Sequence, residues 1–225
     1  MQKGGYNMKA LVVFSGGLDS TVALYWAKKK YGEVTTISFN YGSKHNKIEY
    51  THAQKTCQKL GVNNVRIDLD FMNKYFKSDL LKSGGEIPEG YYTDENMKST
   101  VVPFRNGIML AISAGYAEST DCDVLVLGNH SGDHAIYPDC RPEFIQGIKE
   151  AIYQGTEKHI EVVSPFCNMS KSDIVRLGNE LNVDFSLTYS CYKGGEKHCG
   201  KCGTCTERIE AFKQAGVKDE TIYEC

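Results

Sequence analysis

Several absences narrow what this sequence can be. No apolar run approaches the ~20 residues of a membrane span. The leader, Met1 to Asn7, is polar and Gly-rich without the apolar core of a secretory signal, and Met8 stands as an alternative start. A cytoplasmic protein with no membrane partner is expected. Neither sign of charge dominates, since 26 Lys and Arg against 28 Asp and Glu leave a net charge of −2. With no overall positive field and no evident basic face, nucleic acid is not an expected partner and a small-molecule substrate is favoured. Nothing in the 225 residues forces a second core, so one domain over 8–225 is expected after the 1–7 leader.

What is present is an alternation of strand and helix signals. Lys9 to Phe14 is continuous and β-branched, as in a parallel strand buried on both faces. Val22, Ala23, Tyr25, Trp26 and Ala27 recur at helical spacing, with Lys28 to Lys30 in the last turn. A strand over Val34 to Phe39, a helix from about His45 to Leu60 stopped by Gly61 and a strand over Val65 to Leu69 continue the pattern. The expected fold is α/β, a doubly wound, mostly parallel sheet.

Between the first strand and helix lies Phe14-Ser15-Gly16-Gly17-Leu18-Asp19-Ser20-Thr21. Adjacent glycines let the backbone turn sharply, so that successive N–H groups and a helix N-terminus face one anion, with Ser15 and Ser20 adding hydroxyls. Asp19 suits an anion site only if a cation reverses the local sign, so Mg2+ or pyrophosphate orientation is its expected role. No lysine follows the glycines and they are not spaced G-x-G, which excludes the two commoner nucleotide loops. S-G-G-x-D-S in this context resembles the pyrophosphatase loop (PP-loop) of enzymes that adenylate a substrate, with ATP as cosubstrate. Catalytic roles are expected for Asp19, Ser20 and Arg105.

Farther on, Lys82 to Thr100 has no period and reads as a mobile loop or lid. Pro103 opens a helix from about Phe104 to Glu118 whose first turn carries Arg105, against the helix dipole, which suggests an anionic partner. Asp123 to Leu127 is a fourth strand, and the loop after it carries His130, Asp133, His134, Tyr137, Asp139 and Arg141. Polar side chains beyond a strand C-terminus point to a substrate site. Arg105 or Arg141 could hold a carboxylate bidentately, and Asp133 or Asp139 could accept from a ring N–H edge. A helix from Pro142 to about Tyr153, a strand over Ile160 to Val163 and a capping box at Ser170-Lys171-Ser172-Asp173, opening a helix to about Leu181, follow.

Four of the nine cysteines, Cys191, Cys199, Cys202 and Cys205, form C-x7-C-x2-C-x2-C with Gly200 and Gly203 between them. Soft thiolates on tight turns suit tetrahedral Zn2+ in a closed, structural site over the 188–225 segment. His198 is an alternative ligand. An iron–sulfur cluster is the chemical rival, and disulfides are disfavoured without a secretory signal.

Together with Val102-Pro103-Phe104-Arg105-Asn106, Tyr137-Pro138-Asp139-Cys140-Arg141-Pro142-Glu143-Phe144, Leu187-Thr188-Tyr189-Ser190-Cys191-Tyr192 and His198-Cys199-Gly200-x-Cys202-x-x-Cys205, these motifs make the chain resemble the 7-cyano-7-deazaguanine synthase (QueC) family from Lys9 almost to the C-terminus. The resemblance implies an adenine nucleotide alpha hydrolase-like fold and an ATP-dependent, zinc-containing carbon–nitrogen ligase of queuosine biosynthesis. It would convert 7-carboxy-7-deazaguanine and ammonia to the nitrile through adenylated intermediates. Tyr137, by its position in the loop after the fourth strand, is an expected substrate contact. A PP-loop tRNA sulfur transferase is the nearest alternative, needing a redox-active cysteine pair and a basic face that are not evident. A zinc module binding nucleic acid is the alternative from another class. The oligomeric state stays open, and a homodimer is compatible with the sequence.

Overall fold

The computed structural model describes residues 7–91, 95–132 and 136–224. Five strands, β1 (Lys9–Val13), β2 (Glu33–Asn40), β3 (Asn64–Asp68), β4 (Val124–Val126) and β5 (Glu161–Val163), form one sheet in the order β3-β2-β1-β4-β5. Every pairing is parallel. Among the described residues seven α-helices connect and flank them: α1 (Leu18–Lys30), α2 (Asn46–Leu60), α3 (Asp70–Tyr75), α4 (Arg105–Ser119), α5 (Pro142–Gly155), α6 (Lys171–Glu180) and α7 (Gly203–Ala215).

Strand alternation sends consecutive residues of β1 to opposite layers. Ala10 and Val12 pack with Val22 and Ala23 of α1, Ile174 of α6 and Phe212 of α7. Leu11 faces the other way, among Leu110 and Ala114 of α4 and Ile145 and Ile152 of α5. The sheet is therefore covered on both faces, as its continuous apolar strands require. The chain order reverses between β1 and β4, and the crevice beyond their C-terminal ends is the place where such sheets bind ligands.

Two helices escape the sequence reading. The six-residue α3 is too short to show a period, and α7 begins inside the cysteine motif, with Cys202 as its N-cap. The Lys82 to Thr100 segment also differs from the mobile lid expected of it. Ile87 and Met97 within it, and Leu80 and Leu81 just before it, are buried. Glu89 bridges Cys202 in antiparallel fashion, and Gly90 N donates to Lys201 O at 3.1 Å. Its described residues are a strap docked on the cysteine segment; Tyr92, Thr93 and Asp94 lie outside the described residues.

The C-terminal segment is tied down by Arg208 of α7, whose side chain is wholly buried. Its guanidinium pairs with Asp219 at 3.2 Å and donates to Thr188 Oγ1, Ser190 Oγ and the Phe185 carbonyl. A buried cation with each donor satisfied fixes the residues just before Cys191 and joins them to Asp219.

Candidate active site

β1 delivers the chain into the Ser15–Ser20 turn at the sheet's C-terminal edge, and Phe14 N still donates to Ile37 O at 2.8 Å. Gly16 adopts φ +96°, and a Cβ there would stand 2.5 Å from the Glu49 carbonyl, so only glycine lets the turn lie this close to α2. Ser15 Oγ accepts from Gly17 N at 3.1 Å and lies 3.1 Å from Ser20 Oγ. Gly17 offers α1 no side-chain cap. The first N–H groups of α1 thus have no side-chain cap, and Gly17, Leu18, Asp19 and Ser20 line the crevice beyond the strand ends, where an anion would meet them.

Asp19 Oδ2 lies 2.8 Å from Lys171 Nζ and 3.9 Å from His130 Nε2. Lys171 is the first residue of α6, set by a complete capping box between Ser170 and Asp173, and it also reaches Glu207 of α7 at 3.1 Å. Asp19 Oδ1 is buried with no hydrogen-bond partner among the described residues. An unmet carboxylate oxygen at a phosphate-sized turn is a fitting ligand for Mg2+, which binds through one or two carboxylates plus substrate phosphates.

From this turn a cavity of about 260 Å³ extends over the strand ends toward α4. Its far end is aromatic and carries one cation. Arg105 lies 5.6 Å from the centre of the Tyr41 ring and 5.9 Å from that of Tyr137, and donates to Tyr41 Oη at 3.2 Å. No carboxylate of the described residues ion-pairs with it. Tyr137 Oη lies 3.1 Å from Tyr192 Oη and 3.1 Å from Thr100 Oγ1, which fixes that wall.

Between the two ends stands Glu49 of α2. Burial raises its carboxyl to about 7, opposed by a hydrogen bond with the Ser15 hydroxyl and by the Arg105 charge. His45, one turn earlier, stacks on Tyr192 and places Nε2 3.6 Å from Glu49 Oε2. Burial, with the Arg105 charge second, lowers that imidazole to about 4, so it is neutral at pH 7.

Behind the aromatic end, the sulfurs of Cys191, Cys199, Cys202 and Cys205 all lie within 4.8 Å of one another, and all four residues are buried. Tetrahedral Zn2+ with Zn–S of about 2.3 Å needs sulfurs about 3.8 Å apart. The 4.0 Å separations of Cys199 from Cys205 and of Cys191 from Cys202 are close to that. His198 is not part of the group: its Nε2 accepts from Ser190 N at 3.0 Å, and its ring packs on Tyr189.

The model of the family described as "Queuosine biosynthesis protein QueC" matches residues 9–216. The chain belongs to the QueC family. A "7-cyano-7-deazaguanine synthase" of Porphyromonas gingivalis is 52% identical over 215 residues, covering 96% of this chain and 97% of that one. Another protein of that name, from Caldicellulosiruptor saccharolyticus, is 51% identical over 217 residues, covering 96% of each. In fold the chain is also similar to NMN synthetase from Francisella tularensis, at a TM-score of 0.51 and 14% identity over 96% of this chain and 79% of that one.

Within this QueC chain the structure brings together most of the residues expected at the site. Phe14, Ser15, Gly17, Leu18, Asp19, Ser20, Arg105 and Tyr137 line the cavity. Gly16 and Thr21 shape the turn from behind, Thr21 Oγ1 donating to Gly17 O at 2.8 Å. Asp139 does not line the cavity: its carboxylate accepts from Asn106 N at 2.7 Å and so caps the start of α4. That contact answers the dipole conflict noted at Arg105, because the acid an N-terminus favours comes from another segment. Arg141 also lies elsewhere, exposed at the N-cap of α5. Asp133 and His134 lie outside the described residues. Sequence reasoning missed Lys171, visible only as part of a capping box, and the His45-x-x-x-Glu49 pair, whose helical spacing on a packed face was the available signal.

Proposed function

We propose that this chain converts 7-carboxy-7-deazaguanine and ammonia to 7-cyano-7-deazaguanine at the expense of ATP. The observation that carries this reading is the continuity of one cavity from the Ser15–Ser20 turn to Arg105. A nucleotide held by its phosphates at the turn would present its α-phosphorus toward a buried guanidinium suited to a carboxylate. The family relationship supplies the substrate class.

In this reading the N–H groups at the start of α1 and the Ser15 and Ser20 hydroxyls hold the departing β- and γ-phosphates. Lys171 adds a positive charge where pyrophosphate charge develops. Arg105 holds the substrate carboxylate with one oxygen toward the α-phosphorus, and the Tyr41, Tyr137 and Tyr192 walls flank the purine-like ring and exclude water. Mg2+ bound through Asp19 would neutralise phosphate charge. Zn2+ held by the four cysteines would be structural, since a closed site leaves no open position for water. We also read residues 8–225 as one domain, with 188–225 as its zinc-binding segment, working in the cytoplasm. The sulfur-transfer alternative needs an accessible redox pair, whereas the clustered cysteines are buried.

The test is a mass spectrum of the product formed from 7-carboxy-7-deazaguanine, ATP and ammonium. Nitrile with AMP and pyrophosphate is expected. Absence of nitrile under conditions in which ATP is cleaved would overturn the reading.

A further inference from the structure

Ammonia carries three N–H bonds and a nitrile nitrogen carries none, so three protons must leave nitrogen during turnover. A base is therefore needed beside the carbon that is activated, between the phosphate loop and the cation that holds the substrate. Glu49 occupies that position. On one side its Oε1 lies 3.5 Å from where a Cβ on Gly17 of the loop would stand, and on the other its carboxyl feels the Arg105 guanidinium. Both residues line the same cavity with it.

Resting on the function proposed above, we infer that the Glu49 carboxylate is the general base that takes protons from the reacting nitrogen. In the first half, the ammonia lone pair attacks the acyl-adenylate carbon, and a C–N bond forms. The C–O bond to AMP then breaks, AMP keeps its electron pair and one N–H proton passes to Glu49, leaving the amide. In the second half the amide oxygen attacks the α-phosphorus of another ATP, releasing pyrophosphate. The resulting O-adenylated amide loses one N–H proton to become a neutral imidate. It loses the last as nitrogen electrons form the third C–N bond and AMP departs. No oxidant or reductant is involved.

The surroundings suit this task. A general base works best with a pKa near the operating pH, and burial brings Glu49 to about 7. The groups facing it are neutral His45 from its own helix, Tyr41 from the end of β2 and Arg105 from α4. From α1, Asp19 is engaged by Lys171. Of these only Arg105 is a cation near the carboxyl, and the substrate carboxylate would offset it on binding. Asp19, by contrast, is poorly placed to be the base because its Oδ2 is engaged by Lys171 Nζ at 2.8 Å.

Glu49→Gln keeps the shape and removes the base. Pyrophosphate released in a single turnover of carboxylate and ATP without ammonia reads adenylation alone; nitrile formed from the carboxylate, and separately from synthetic amide, reads proton removal. The proposal expects Glu49→Gln to keep adenylation within about threefold and to lose nitrile formation from either starting compound by about 10²–10⁴-fold. It also expects loss of the fall in kcat/KM below about pH 7, while Glu49→Asp keeps that fall at a reduced rate. A Glu49→Gln chain that forms nitrile within threefold of the parent, or that loses adenylation and nitrile formation in equal proportion, overturns the proposal. If the parent itself forms no nitrile, the proposed function falls, and the base assignment falls with it. A normal melting profile of Glu49→Gln guards against misfolding, and Glu49→Asp supplies a second variant should that chain fail to fold.

Discussion

Lys171 Nζ lies 2.8 Å from Asp19 Oδ2, joining the start of α6 to the phosphate turn across 152 positions of sequence. The turn has no lysine of its own, and the fold supplies one from the far side of β5. In the proposed reaction, where charge develops on departing pyrophosphate, that cation and the Asp19 carboxylate would act at one place.

Asp19→Ala is expected to abolish turnover without unfolding the chain, since Asp19 contributes to the site rather than to the core. Lys171→Gln should lower kcat by about 10²–10³-fold, the loss expected for one stabilising donor at a transition state. Steady-state kinetics alongside circular dichroism melts check both. Near-normal turnover in either variant would remove that residue from the machinery.

The zinc reading makes a stability prediction. Cys202 is at once a candidate ligand, the N-cap of α7 and the bridge partner of Glu89 in the strap. Cys202→Ser should bind substoichiometric zinc and lose stability on the order of several kcal/mol, because metal affinity in such sites is folding free energy. Metal analysis and thermal melts decide the matter. Iron with sulfide, or full zinc and an unchanged Tm in the variant, would refute it.

Much of the fold was readable because parallel strands buried on both faces are continuous apolar runs, and Gly61, Pro142 and Ser170 mark helix boundaries by known stereochemistry. Part of the candidate site was legible for a similar reason: the Ser15–Ser20 turn and the cysteine cluster are local in sequence. What stayed hidden is assembled across distance. Lys171 reaches Asp19 only after β5 and α6 are placed, and Asp139 caps α4 from a later loop, so position beyond a strand end did not identify it as structural. The strap was misjudged because its few apolar residues, Ile87 and Met97, have no period and yet are buried on docking.

Glu49 gives a pH dependence of known sign. Burial raises its carboxyl from 4.5 to about 7, so between those values the folded chain keeps a proton that the unfolded chain has lost. Stability from this group is therefore full below about pH 4.5 and falls as pH rises to about 7, by up to about 3 kcal/mol. Without ligands, Glu49→Gln should gain stability relative to the parent between pH 5 and pH 8. Urea midpoints at the two values measure this, and a difference that does not change with pH would show that the carboxyl titrates normally.

The stoichiometry of nucleotide use follows from counting oxygen atoms. A carboxylate has two oxygens to lose before its carbon becomes a nitrile carbon, and neither leaves readily in water. An oxygen becomes a leaving group once it carries phosphorus. In the proposed function the Ser15–Ser20 turn holds the β- and γ-phosphates, which would direct the substrate oxygen to the α-phosphorus and make AMP the departing group. One cavity can do this twice: first on the carboxylate and, after ammonia has replaced the first oxygen, on the amide. In the proposed reaction Arg105, with no carboxylate ion-paired to it among the described residues, would hold either species by its oxygen, and the tyrosine walls would limit hydrolysis of both adenylates. Two AMP per nitrile are expected from the carboxylate and one from synthetic amide, measured by chromatography of quenched reactions. ADP as the main product would show attack at a different phosphorus, and an amide never turned over would show that the two oxygens do not leave by the same route.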